Sequence, residues 1–191
     1  MVAAGLALAF AVPGCSTLGA TEDESRGPDL ESDPRQALDL GTGVVLDAPA
    51  SWEIRRPFAP SVESTGCTVQ AASVDTGPDM LDVEVLLVGV GCTESHEGLN
   101  GSRPDFVRAD LVPDARDVIE ETVSLGELTL FGEPYVECGG ECTESVRRVA
   151  LIEMTNPPER DFPTLVVYAS PDPLDDTDLR TIVDGITLDQ P

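Results

Sequence analysis

Apolar residues fall along this chain in short runs broken by turn-forming residues, and many of the runs alternate with polar positions at a period of two. GVVLDAPASWEIRR (43–56) reads as a strand, a Pro-bearing turn and a second strand, with Trp52, the only tryptophan, as a core anchor at that strand's start. CTVQAASV (67–74) and VLLVGVGC (85–92) flank DTGPDMLD and read as an antiparallel hairpin. DVIEETVSL alternates from Val118 onward, LTLF (128–131) is short and apolar, and VRRVALIEM and TLVVYAS add two more strands. Seven or eight strands are expected in all.

Helical spacing is rarer. In DPLDDTDLRTIVDGITL the residues Leu179, Ile182, Val183 and Ile186 fall at i, i+3, i+4 and i+7, one face of a helix. Asp172 is placed to cap it, Pro173 suits the first helical position, and Asp175 follows three residues after the cap. A second, shorter helix is read in PDFVRADLV (104–112), stopped by Pro113. Strands with few helices laid against them define an α+β class.

The first residues follow a different logic. MVAAGLALAFAVPG (1–14) is apolar and uncharged, too short to span a bilayer, and ends in small residues before Cys15. Val12-Pro13-Gly14-Cys15 resembles a bacterial lipobox, which implies a signal peptide over 1–14, cleavage before Cys15 and a diacylglycerol on its sulfur. The competing reading is an ordinary secretory signal with an incidental cysteine; a basic n-region is expected upstream of Met1. Residues 15–41 read as the lipidated cysteine and a disordered acidic tether, since 16–40 carry seven acidic residues against two arginines and almost no large apolar residue before Leu38. A single domain is expected over 42–191.

Charge narrows the partners. The 36 acidic and 11 basic residues give a net charge of −25, and all 11 basic residues are Arg. Phosphate binding needs clustered positive charge, so nucleic acid is excluded as a natural partner. Approach to an anionic membrane surface would need a covalent anchor, which a lipidated Cys15 supplies.

Setting Cys15 aside leaves Cys67, Cys92, Cys138 and Cys142, an even set that reads as two disulfides in an exported protein. A three-residue loop at Gly139-Gly140-Glu141 sets Cys138 opposite Cys142. In the other hairpin, a register that places Val74 opposite Val85 places Cys67 opposite Cys92, with Val69, Ala71, Leu86, Val88 and Val90 on the same core-directed face. Zinc and thioredoxin-like readings fit less well: His96 is the sole histidine, and the Cys138/Cys142 pair lies in a hairpin with the wrong spacing.

Other candidates each have a structural account. His96 lacks a partnered nucleophile and reads as a solvated loop residue, not a catalyst. Asp172, Asp175, Asp176 and Asp178 could attract calcium, but negative charge at a helix N-terminus explains them, and no metal or cofactor is expected. Glu120 and Glu121 should face opposite sides of a strand. Arg147 and Arg148 read as one arginine per strand face, solvated or salt-bridged.

VVLDAPASWEI, the antiparallel middle and the closing DLRTIVDGITL resemble PsbP-like domains, including actinobacterial lipoproteins of the LpqN type, over roughly residues 42 to 189. The resemblance implies a curved antiparallel sheet with flanking helices and a non-catalytic envelope or assembly role. The expectation is therefore a lipid-anchored, extracytoplasmic, non-enzymatic binding module on a Gram-positive membrane, its partner an envelope protein. The alternative is a carrier of a small apolar or lipid ligand between sheet and helix. A hydrolase is the least favoured class.

Overall fold

The computed structural model describes residues 34–62, 67–77, 82–94, 107–112, 114–138, 142–170 and 174–189. Among them are ten strands and one α-helix: β1 (Arg35–Gly41), β2 (Val44–Pro49), β3 (Glu53–Val62), β4 (Thr68–Asp75), β5 (Asp82–Val88), β6 (Arg116–Val123), β7 (Gly126–Cys138), β8 (Cys142–Met154), β9 (Thr164–Ser170), α1 (Asp176–Asp184) and β10 (Ile186–Leu188). Three strands form a small sheet in the order β1-β2-β10, and seven form a large one in the order β3-β4-β5-β9-β8-β7-β6. Every pairing is antiparallel.

The fold begins earlier than residue 42. Within β1 Leu38 and Leu40 are buried while Asp39 between them is exposed, and Leu38 lies opposite Leu46 of β2. Alternation at a period of two was already present in ALDL; the surrounding acidic residues masked it. Thr42 and Gly43 close this hairpin with positive φ at both positions, 51° and 76°, the conformation that matches the twist of paired strands. Trp52 is buried in the turn that leads to β3, its N–H donating to the Pro49 carbonyl at 3.0 Å.

The large sheet is buried on both faces. On one, Val85 and Leu87 of β5, Leu130 of β7 and Ile152 of β8 meet Leu40 and Leu46 of the small sheet and Leu179, Ile182 and Val183 of α1. Burying each such side chain contributes about 1.5–3 kcal/mol. On the other face, Val88, Phe131, Leu151 and Val166 pack under Cys92, Val107 and Val112. The helix expected over 104–112 is, within its described part, a single 3₁₀ turn at Ala109–Leu111; residues 104–106 and Pro113 lie outside the described residues.

The terminal helix is shorter than its apolar spacing predicts. Asp175 is its N-cap, accepting from the Asp178 N–H at 2.8 Å, whereas Asp172 and Pro173 lie outside the described residues. Gly185 ends it, because its carbonyl accepts from the Asp47 N–H at 2.8 Å and any Cβ there would meet the Asp47 oxygen at 2.7 Å. Ile186, expected on the helical face, instead opens β10 opposite Leu46 and is buried from the strand.

The Cys67–Cys92 disulfide forms, with the Cα atoms 5.5 Å apart, but not through the expected register. Val74 faces Val83 rather than Val85, a slip of two residues that leaves each side chain within the β4–β5 ladder on its expected face. β5 stops at Val88, and residues 89–92 fold back in a turn: the Gly89 N–H donates to the Thr68 carbonyl at 3.0 Å and the Cys92 N–H to the Gly89 carbonyl at 3.1 Å. That turn absorbs the two residues and throws Val90, expected on the core face, out to 70% exposure. At the far end of the β7–β8 hairpin, Cys138 lies opposite Cys142 in the ladder.

The disulfide ties residues 25 apart in sequence, so replacing both cysteines by serine should lower unfolding free energy by about 3.5 kcal/mol on the chain-entropy estimate. Urea melts of the oxidised protein and of the Cys67→Ser/Cys92→Ser variant measure the difference.

Candidate functional site

The second face of the large sheet carries its unusual chemistry. An apolar centre, capped by the disulfide, is flanked by two polar corners. One corner gathers residues from six strands: Arg55 and Arg56 of β3, Ser73 and Asp75 of β4, Asp82 and Glu84 of β5, Tyr168 of β9, and Arg147 of β8 with Glu133 of β7. The ladders place Arg56 opposite Ser73, Ser73 opposite Glu84 and Glu84 opposite Tyr168, so one transverse row is built from four separate sequence segments.

Accessibility grades across this corner. At the β3 edge Arg55 bonds Asp75 at 2.9 Å and Asp82 at 2.5 Å, and Arg56 reaches Glu84 at 3.3 Å, with both guanidinium groups open to solvent. At the β7–β8 side the Arg147–Glu133 pair, at 2.6 Å, is buried, its side chains 15% and 6% exposed. The Arg147 guanidinium also lies 4.4 Å from the centroid of the Tyr168 ring, within cation–π range. A buried pair of this kind costs desolvation on both ions and holds only where geometry is good.

The charges respond differently to their surroundings. Burial pushes the Glu84 carboxyl above the ordinary carboxylate range; Arg56 opposes this incompletely, and Asp82 adds to it. Asp75 is held below that range, first by the Gly77 N–H, which donates to it at 2.9 Å, and then by Arg55. Arg55, bonded to Asp75 and facing Asp82, is raised further above its already high value and stays charged.

The second corner is mainly acidic. Glu120 of β6, Glu127 of β7 and Glu153 of β8 are exposed around a groove of about 590 Å³ whose lining includes Val118, Thr129 and Leu151. Arg108 and Asp110 at its margin pair with each other at 3.1 Å.

The residues singled out from sequence separate as follows. Cys15 and His96 lie outside the described residues. Glu120 and Glu121 do face opposite sides: Glu120 lines the groove, and Glu121 meets Arg180 of α1 at 2.5 Å. Arg147 and Arg148 are both salt-bridged, on opposite faces, and both are more buried than a solvated reading allows. Arg148 ties Asp176 at the start of α1 to β8, at 2.6 Å, and reaches the Arg116 and Asp117 carbonyls of β6. Asp175 is a cap and Asp176 an ion-pair partner, and among the described residues no group of three or more His, Cys, Asp or Glu could hold a metal ion. Sequence reading missed Arg55, Arg56, Glu84, Glu133 and Tyr168 as a group; the one signal was the arginine doublets, 55–56 and 147–148, in so acidic a chain.

A raised carboxylate destabilises the fold while ionised and ceases to do so once protonated in both states. Glu84→Gln should therefore raise stability at pH 7, and the advantage over wild type should fade as pH drops toward 4.5, Glu84's ordinary value. Denaturant melts of both proteins across that interval measure it. No family model, curated protein or solved structure matches the chain.

Proposed function

We propose that this chain is a lipid-anchored extracytoplasmic lipoprotein whose domain is a non-enzymatic binding or assembly module of the cell envelope. The observation that carries this reading is the filled space between helix and sheet: Leu179, Ile182 and Val183 of α1 are buried against the large sheet. A carrier would need a cavity there. Among the described residues, grooves open on the surface beside β6–β8, at Ser124 with Ile186–Leu188, and around Cys67 and Cys92. Recognition is left to the outer surface, where the charged corners lie.

Export and anchoring rest on the uncharged apolar stretch over 1–14 that leads into Cys15. A second disulfide, Cys138–Cys142, belongs to the same proposal, supported by the opposed positions of the two residues in the β7–β8 ladder. The PsbP-like resemblance is supported by its quoted segments, which fall on β2–β3 and on α1–β10 around an antiparallel sheet. Among the described residues no helix is long and apolar enough to cross a membrane, so an anchor at Cys15 is the means of attachment proposed.

Two measurements test this. Cys15→Ala should move the protein from the membrane fraction to the soluble one; continued membrane association argues against lipidation. Native mass spectrometry of the gently extracted full chain should show the covalent lipid and no further lipid-sized species. A second, non-covalent apolar molecule would transfer the reading to a carrier.

A further inference from the structure

β6 is the outermost strand of the large sheet among the described residues, eight residues long, with Val118 and Ile119 exposed at 48% and 38%. An edge strand turns the N–H and C=O of alternate residues away from its sheet, a template for another extended segment. Beside it lies the acidic groove. Glu127 and Glu153 stand directly opposite each other in the β7–β8 ladder, and Glu120 lies on the same face of the neighbouring strand, opposite Thr129. Like charges directly opposite each other destabilise a sheet. The Thr122 hydroxyl donates to Glu127 at 3.1 Å, but Arg108, at the groove margin, is paired with Asp110. A local conflict of this kind, kept at an exposed groove, is relieved when cations arrive.

We infer that β6 is a docking edge for an extended, cationic segment of a partner protein, which adds as a strand and sets its Arg or Lys side chains over Glu120 and toward Glu127, with Glu153 on the strand behind adding to the attraction. This rests on the binding-module reading and names the chemistry of its partner. A second copy of the chain is the wrong occupant, because a net charge of −25 opposes its own approach. The backbone of β6 supplies pairing, and the glutamates supply selection by charge.

The test uses the full lipidated chain in detergent and a fluorescent peptide, Arg-Val-Arg-Val-Arg-Val-Arg, read by anisotropy. Saturable binding is expected, weakening steeply with salt. Methylating alternate backbone nitrogens of the peptide, which keeps its charge, should weaken it by about tenfold or more. Glu120→Gln/Glu127→Gln should weaken it by about tenfold, two exposed charge pairs at the upper end of their usual worth, with an unchanged or raised melting temperature. Absence of binding, equal binding of the methylated peptide, or equal binding by the variant overturns the proposal, as does dimerisation through β6 in sedimentation. Photo-crosslinking in native membranes, with benzoylphenylalanine at position 118 or at the remote exposed position 90, separates the two levels. Adducts from 118 to an Arg- or Lys-rich segment support the edge. Adducts from 90 alone overturn the edge and spare the module, and none from either overturns both.

Discussion

Strands β5, β8 and β9 bury side chains on both faces of the large sheet, so the domain needs a cover on each side, and the remaining elements are arranged to meet that need. A strand buried on both faces reads as a continuous apolar run, which is why VLLV, VALI and TLVVYA stand out in the sequence. The helix and the small sheet cover one face; the disulfide, with Val107 and Val112, covers the other. α1 is held at two points, by Arg148 to Asp176 and by Arg180 to Glu121, so the strands that form the sheet also anchor its lid. Gly185 then lets the chain turn close against β2, and the strand that follows completes the small sheet.

Much of this architecture was legible because strand runs and turn residues are local. The strands from β2 to β9, the buried Trp52, the helix face at Leu179, Ile182 and Val183 and the partnership of Cys67 with Cys92 all followed from patterns within short windows. β1 was hidden by its neighbours: Leu38 and Leu40 are too few apolar residues to outweigh an acidic context until β2 supplies a partner. The β4–β5 register slipped by two because cysteine pairing fixes the end of a hairpin, whereas the turn at 89–92 decides how many residues lie between that end and the ladder. Helix and strand cannot be told apart at Ile186 by spacing alone, since a residue past the helix end can stay on the buried side as a strand.

The charged corner was not legible. Arg56, Ser73, Glu84 and Tyr168 come from four strands in an order that sequence does not reveal, because β9 inserts between β5 and β8. A sheet converts distant residues into neighbours, and each alone looks like an ordinary surface residue. Only the arginine doublets stood out. In each doublet the two arginines make different ion pairs, with different elements in the case of 147 and 148.

Electrostatics also sets what the sheet edge can accept. Neighbouring strands lie about 4.8 Å apart, well inside the screening length of about 8 Å at physiological ionic strength, so a strand arriving at β6 meets Glu120 with little screening. For an acidic chain that meeting is repulsive, and Glu127 and Glu153 behind it add to the repulsion. Edge strands are commonly protected by charge, and lysine is the usual choice; this chain has none, so protection falls to carboxylates. Protection by carboxylates is one-sided: it turns away other acidic segments, copies of this chain among them, while lowering the cost of approach for a cationic strand. A single arrangement of glutamates can thus prevent self-association and choose a partner, and the two effects cannot be separated by changing the charges alone.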